Sequence, residues 1–132
     1  MHSTDIAEWI RKNGHSVVGI HGIQGSGKTS LSDTLALLLQ EGGKRVVTLS
    51  MDDFYLPRSV MGPDEIRGRP GTHDVGRLVS CIRSLRSDEC GTVEIPVYDK
   101  TLADGRGDRI GVRRVCGTVD YVIVEGWCLA YR

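Results

Sequence analysis

Residues 22–29 read GIQGSGKT, and they restrict the fold of this chain more than any other stretch. They follow the apolar run Val17–Ile20 and precede a leucine pattern at Leu31, Leu35, Leu38 and Leu39. Gly22, Gly27, Lys28 and Thr29 satisfy the spacing G-x-x-x-x-G-K-[ST] in the strand-then-helix context that a phosphate-binding loop requires. Glycines let backbone N–H groups converge on a β-phosphate, and the lysine reaches the β and γ oxygens. The helix N-terminus adds its dipole, and the threonine hydroxyl can hold Mg²⁺. Gly22, Gly25, Ser26, Gly27, Lys28, Thr29 and Ser30 are therefore the candidate nucleotide-binding set.

The pattern on either side extends this into an α/β fold. SVVGI and RVVTLS read as buried strands, and the leucine helix between them is stopped by Gly42 and Gly43. Strand, helix and strand in this order predict a right-handed βαβ unit with a parallel sheet. Ile6, Trp9 and Ile10 place a short amphipathic helix over residues 4–13. Residues 52–73, rich in proline and glycine, read as a loop of the length usually kept for function. Helical spacing returns at Val75, Leu78, Val79, Ile82 and Leu85. TVEIPVY alternates like a strand interrupted by Pro96, and residues 99–118 read as loop-rich. YVIVEGW is a continuous β-branched run, the form of a central parallel strand covered on both faces. The expectation is one domain, residues 1–132, with a parallel sheet flanked by helices in three layers.

Two carboxylate positions lie where open α/β sheets bind ligands, beyond the carboxyl ends of strands. Glu125 ends the VIVE run and can order magnesium or its water; its other reading is a carboxylate capping a neighbouring loop. Asp52 and Asp53 follow the second strand. A phosphoryl-transfer enzyme needs one carboxylate to accept the proton of the attacking hydroxyl, and a second can hold the metal; the pair could as readily cap a turn or helix. RGRPGTHD and YDKTLADGRGDR carry cations on glycine-rich backbone and suit capture of a small anion, since arginine clamps a carboxylate or phosphate in bidentate fashion. Solvated loops with internal Arg–Asp contacts are the alternative.

Charge and composition remove other classes. Lysine plus arginine equals aspartate plus glutamate at 17 each, so no overall field draws the chain to nucleic acid or an anionic membrane. Residues 58–114 hold ten arginines and nine acids, which reads as local pairing. The four cysteines are irregularly spaced with no C-x-x-C, so buried reduced thiols are expected rather than a zinc site. The N-terminus lacks secretory and transit signatures, and no apolar run is long enough to span a bilayer. The expected compartment is the cytoplasm, an organellar one staying open should a segment precede Met1.

The ordered set GIQGSGKT, MDDFYLP, RGRPGTHD, PVYDKTLADGRGDR and VIVEGWCLAY resembles the glycerate kinase branch of P-loop kinases, related to uridine kinase, phosphoribulokinase and pantothenate kinase. The resemblance runs from residue 22 to residue 131. It implies ATP-dependent phosphorylation of D-glycerate, giving a phosphoglycerate and ADP, with ATP and Mg²⁺ as cofactors. By position, Asp52 would be the general base and Asp53 its metal-linked partner. Lys28 would stabilise the transferring phosphoryl group, and Thr29 and Glu125 would order Mg²⁺. His73, Asp74, Tyr98, Asp99, Lys100, Arg106 and Arg109 would line the acceptor side.

Members of that family continue beyond the EGW strand into a lid helix with arginines and further strands. The resemblance therefore implies a C-terminally truncated fold, in which SVVGI becomes an uncovered apolar edge. A later part of a longer protein, or a second copy by self-association, would cover it. Ala130 stands at a position usually glycine, and YDKT replaces the commoner YDKS. The resemblance leaves open whether these residues alone form a working enzyme. Two other readings stay open: a kinase for another acceptor such as a nucleoside, and a non-catalytic nucleotide-binding or interaction domain.

Overall fold

A computed structural model describes residues 2–22, 28–62, 65, 67, 71–87 and 91–126. The elements are α1 (Ser3–Lys12), β1 (Val17–His21), α2 (Lys28–Leu39), β2 (Val46–Ser50), a 3-10 turn (Met51–Asp53), α3 (Arg58–Met61), α4 (Val75–Arg86), β3 (Thr92–Asp99), β4 (Asp108–Cys116) and β5 (Tyr121–Gly126). They divide into two compact units, Met1–Met51 with Val119–Arg132, and Asp52–Thr118.

The first unit is a parallel sheet in the order β1-β5-β2 with helices packed on it, the α/β architecture that the sequence pattern predicts. β5 is central and buried from Val122 to Gly126, so its unbroken Val/Ile run has apolar partners on every side. Gly19 lies beside Val124, and Leu49 lies beside the same residue from the other flank. Ala7 and Ile10 of α1, Leu35 and Leu39 of α2, Ile20 and Ile123 form the core cluster. The Arg11 guanidinium donates to the Leu38 carbonyl and lies 3.8 Å from Glu41, tying α1 to the end of α2.

β1 and β2 depart from the buried strands expected of their apolar runs. Only Ile20 of β1 is buried, and β2 alternates, with Val47 and Leu49 buried between half-exposed neighbours. Each pairs with β5 on one side alone among the described strands. A run of valines states that a strand can be buried on both faces, but the number of its neighbours decides whether it is.

The second unit is built on an antiparallel ribbon of β3 and β4 with α4 against β3. β3 runs straight through Pro96, opposite Val112, because a two-stranded ribbon leaves every strand an edge where a missing N–H costs no ladder bond. β4 corrects the loop-rich reading of residues 99–118. Six of its nine residues are exposed, Arg113 and Arg114 among them, and none is buried, so no buried apolar face announces it. Residues 52–73 also carry more order than a loop, namely α3 and a bridge between Tyr55 and His73. Cys81 is buried and free as expected, whereas Cys116 is exposed.

Candidate functional site

The nucleotide side of the candidate site falls on the first unit. The expectations for Gly25, Ser26 and Gly27 concern positions outside the described residues, as do the side chains of Lys28 and Thr29. Gly22 continues β1 into the motif: its N–H donates to the Gly126 carbonyl at 3.2 Å, extending the β1–β5 ladder by one bond. α2 begins at Lys28, so the backbone changes from strand to helix across the glycine-rich stretch. Ser30 is exposed, and its carbonyl accepts the Thr34 hydroxyl at 2.9 Å.

Glu125 is the penultimate residue of β5, in register with Ile20 on one side and Ser50 on the other. It is 8% exposed, and its Oε2 is buried with no hydrogen-bond partner among the described residues. Burying a carboxylate oxygen without a partner is costly. A hard cation, or water on one, is the kind of ligand that satisfies it. No group of three His, Cys, Asp or Glu gathers among the described residues. A lone carboxylate suits Mg²⁺, which takes one or two protein carboxylates and fills its octahedron with waters and substrate phosphates. The next residue is held to glycine, because a Cβ on Gly126 would lie 2.5 Å from Cγ of Met51.

The acceptor side falls on the second unit. Asp52 and Asp53 leave β2 in the 3-10 turn and diverge. Asp52 Oδ2 accepts from Lys100 Nζ at 2.7 Å, with both side chains about one-third exposed. Asp53 Oδ1 accepts the Tyr98 N–H at 3.2 Å, next to the irregularity in the β3–β4 register at Val97 and Tyr98. Burial pushes the Asp53 carboxyl above its ordinary value, and the Tyr98 amide opposes the shift. The adjacent aspartates, both half-buried, thus differ in partner: Asp52 faces the Lys100 ammonium, and Asp53 is tied to the backbone of β3.

Three rings stand together. His73 stacks on Tyr55 with centroids 4.3 Å apart, and Tyr55 tilts against Tyr98 at 5.1 Å. Arg109 Nη2 reaches both the Tyr55 carbonyl at 3.1 Å and Asp74 Oδ2 at 3.4 Å, and its Nε is buried without a partner among the described residues. Asp74 also caps α4 by accepting the Arg77 N–H at 3.1 Å, so it is a structural cap as well as an ion-pair partner. Asp99 turns into its own loop, accepting from the Thr101 N–H and hydroxyl at 2.8 and 2.6 Å, which lower its pKa. Arg106 contributes its backbone carbonyl, which accepts the Tyr98 hydroxyl at 3.2 Å.

The structure therefore brings Asp52, Asp53, His73, Asp74, Tyr98, Lys100 and Arg109 into one contact chain, and gives Asp99 a turn-forming role. Tyr55 and Arg58 belong to the same cluster and were not singled out by the sequence. Their roles depend on contacts with residues far along the chain, which leave no local spacing to read.

Burial pushes the His73 imidazole below its ordinary value of 6.5, and the Asp52 charge opposes this. The unfolded chain then binds this proton more readily than the folded one. The contribution to stability is complete above about pH 6.5 and is lost as the pH falls from there through the depressed folded value. His73→Gln should therefore show a smaller fall in Tm than the wild type between about pH 7.5 and 5.5. Equal falls would contradict a buried neutral imidazole.

No family model matches the chain. It is 35% identical over 129 residues to an uncharacterized kinase of Schizosaccharomyces pombe, covering 87% of this chain and 47% of that protein. It is 32% identical over 133 residues to the chloroplastic D-glycerate 3-kinase of Arabidopsis thaliana, covering 88% of this chain and 29% of that one. The solved structure of D-glycerate 3-kinase from Cryptococcus neoformans superposes with a TM-score of 0.78 at 33% identity, over 96% of this chain and 52% of that one. The chain thus spans less than half the length of these two curated relatives.

Proposed function

We propose, for a chain homologous to the D-glycerate 3-kinase-like P-loop kinases, transfer of the γ-phosphoryl group of Mg-ATP to a hydroxyl of D-glycerate, giving phosphoglycerate and ADP. The observation that carries this reading is the Asp52–Lys100 pair at 2.7 Å, a carboxylate and an ammonium group standing together at the head of the turn 101–107. Asp52 accepts the proton of the attacking hydroxyl as its oxygen bonds to phosphorus and the bond to the ADP oxygen breaks. Lys100 offers the acceptor carboxylate a cation, and Arg109, with its unpartnered Nε, offers a second in planar geometry. The Tyr55–His73 stack forms an apolar wall suited to the short carbon chain of glycerate.

On the nucleotide side, Lys28 and the glycine-rich stretch would hold the phosphates, and Thr29 and Glu125 would hold Mg²⁺, whose charge would offset that of the transferring phosphoryl group. Asp53, tied to the Tyr98 amide, keeps the turn that presents Asp52 and is a weaker metal ligand than Glu125 in this reading. Transfer of this kind involves little covalent chemistry by the protein, so positioning and electrostatics supply the rate. No helix of the described residues is long and apolar enough to cross a membrane. A cytoplasmic enzyme is the simplest version of the proposal, and an organellar one suits the chloroplastic relative equally.

The acceptor is tested by offering D-glycerate and uridine separately with Mg-ATP and identifying products by mass. Phosphoglycerate from the first and no nucleotide from the second is the expected result. Uridine monophosphate would replace the proposal with a nucleoside kinase. Mg-ATP binding with neither product would leave a nucleotide-binding domain.

A further inference from the structure

Arg58 is the first residue of α3, and its side chain is half-buried. Its backbone N–H donates to Asp108 Oδ1 at 2.9 Å. Its guanidinium donates to four backbone carbonyls: Gly107 from Nε at 3.3 Å, Gly62 and Glu65 from Nη1, and Arg106 from Nη2 at 2.7 Å. One planar fork thus joins the segment after α3 to the turn before β4. Arg67 adds to the same turn, donating from Nη1 to Gly105 and Arg106 at 2.7 and 2.9 Å. Residues 101–106 are exposed and Gly107 is buried, so packing contributes little to the turn, which has its own bonds, from Gly105 and Gly107 to the Leu102 carbonyl and from the Tyr98 hydroxyl to the Arg106 carbonyl. Gly107 sits against the Tyr98 ring at a φ of 87°, where an added Cβ would lie 2.4 Å from the ring. Asp108, held by the Arg58 backbone N–H, also accepts the Arg109 N–H at 2.8 Å, and the fork grips Gly107 immediately before it.

We propose that Arg58 is a positioning residue that locks the turn 101–107 on Tyr98, so that Lys100 at one end reaches Asp52 and Arg109 at the other reaches Asp74. Four backbone carbonyls reached from three nitrogens match the fixed donors of a guanidinium. A lysine, with a single ammonium on a flexible stem, cannot span them. The kinetic consequence rests on the kinase reading above; the structural one does not.

The test is hydrogen exchange on the full chain with Arg58→Ala, Arg58→Lys and Arg67→Ala, together with acceptor kinetics. In both Arg58 variants the amides of Gly105, Arg106 and Gly107 should exchange about tenfold faster or more, with β3 and β5 unchanged. Arg67→Ala should loosen the same amides by less. With D-glycerate as acceptor, KM should rise about tenfold in Arg58→Lys while KM for Mg-ATP stays fixed. Unchanged exchange in the turn, loosening spread equally over β3 and α4, or full protection restored by Arg58→Lys would overturn the proposal. An absence of acceptor turnover in the wild type would remove the kinase reading alone, and the exchange pattern would still decide the role of Arg58.

Discussion

Asp52→Asn is expected to lower acceptor-dependent ADP formation by about 10²–10⁴-fold, the range for removal of a positioned general base, while Mg-ATP still binds. Asparagine keeps the shape and one oxygen acceptor but cannot take the hydroxyl proton at neutral pH. The substitution also leaves Lys100 without the partner that stands 2.7 Å away. Lys100→Met separates the two effects: it should raise KM for the acceptor and leave the base in place, so its loss in kcat should be much smaller than that of Asp52→Asn. A variant Asp52→Asn that turns over within a few-fold of wild type would show that proton removal needs no help from this carboxylate. The role would then pass to Asp53, whose burial already pushes its carboxyl upward.

Ile123→Ala should cost about 2–5 kcal/mol of stability, the range for truncating a fully buried aliphatic side chain. Ile123 is 0% exposed, at the middle of β5, and packs in one cluster with Ile10, Ile20, Leu35 and Leu39. The three strands meet at this residue, since it stands opposite Val18 and Thr48. Alanine would leave a cavity lined by two helices and two strands, and the strands cannot close it without disturbing their ladders to β5. Urea melts read at 25 °C should show the loss as a lower midpoint. A cost near that of an exposed substitution would mean that β5 does not hold the centre of the sheet. Because Glu125 lies two residues on, the variant should also weaken Mg-ATP binding as the unit loosens.

The contrast between β5 and β4 explains what the sequence made legible. β5, α1 and α2 are stabilised by burial, and burial writes itself into local pattern as an unbroken Val/Ile run or an apolar stripe at helical spacing. β4 is stabilised by its ladder to β3, and most of its side chains face solvent, so Ile110, Val112 and Val115 stand among arginines without marking a buried face. The pairing partner lies beyond a turn that combines its own backbone hydrogen bonds with contacts from Arg58 and Tyr98, far away in sequence or on the opposite side of the loop.

The same division holds within the candidate site. Asp52 and Asp53 stand out as a pair because two carboxylates follow a strand. That one faces Lys100 and the other the Tyr98 amide is a fact of tertiary contact, and no spacing encodes it. Likewise Asp74 and Asp99 read as acceptor residues but are largely engaged by the Arg77 amide and by Thr101. Tyr55, lying between the carboxylates and a proline, becomes informative only when His73 stacks on it.

The most direct test of the central claim is ADP formation by the purified chain with Mg-ATP, in the presence and absence of D-glycerate, beside the Lys28→Ala variant. The account predicts turnover that depends on D-glycerate and disappears in the variant. ADP release indifferent to D-glycerate, or equal in both proteins, would contradict it.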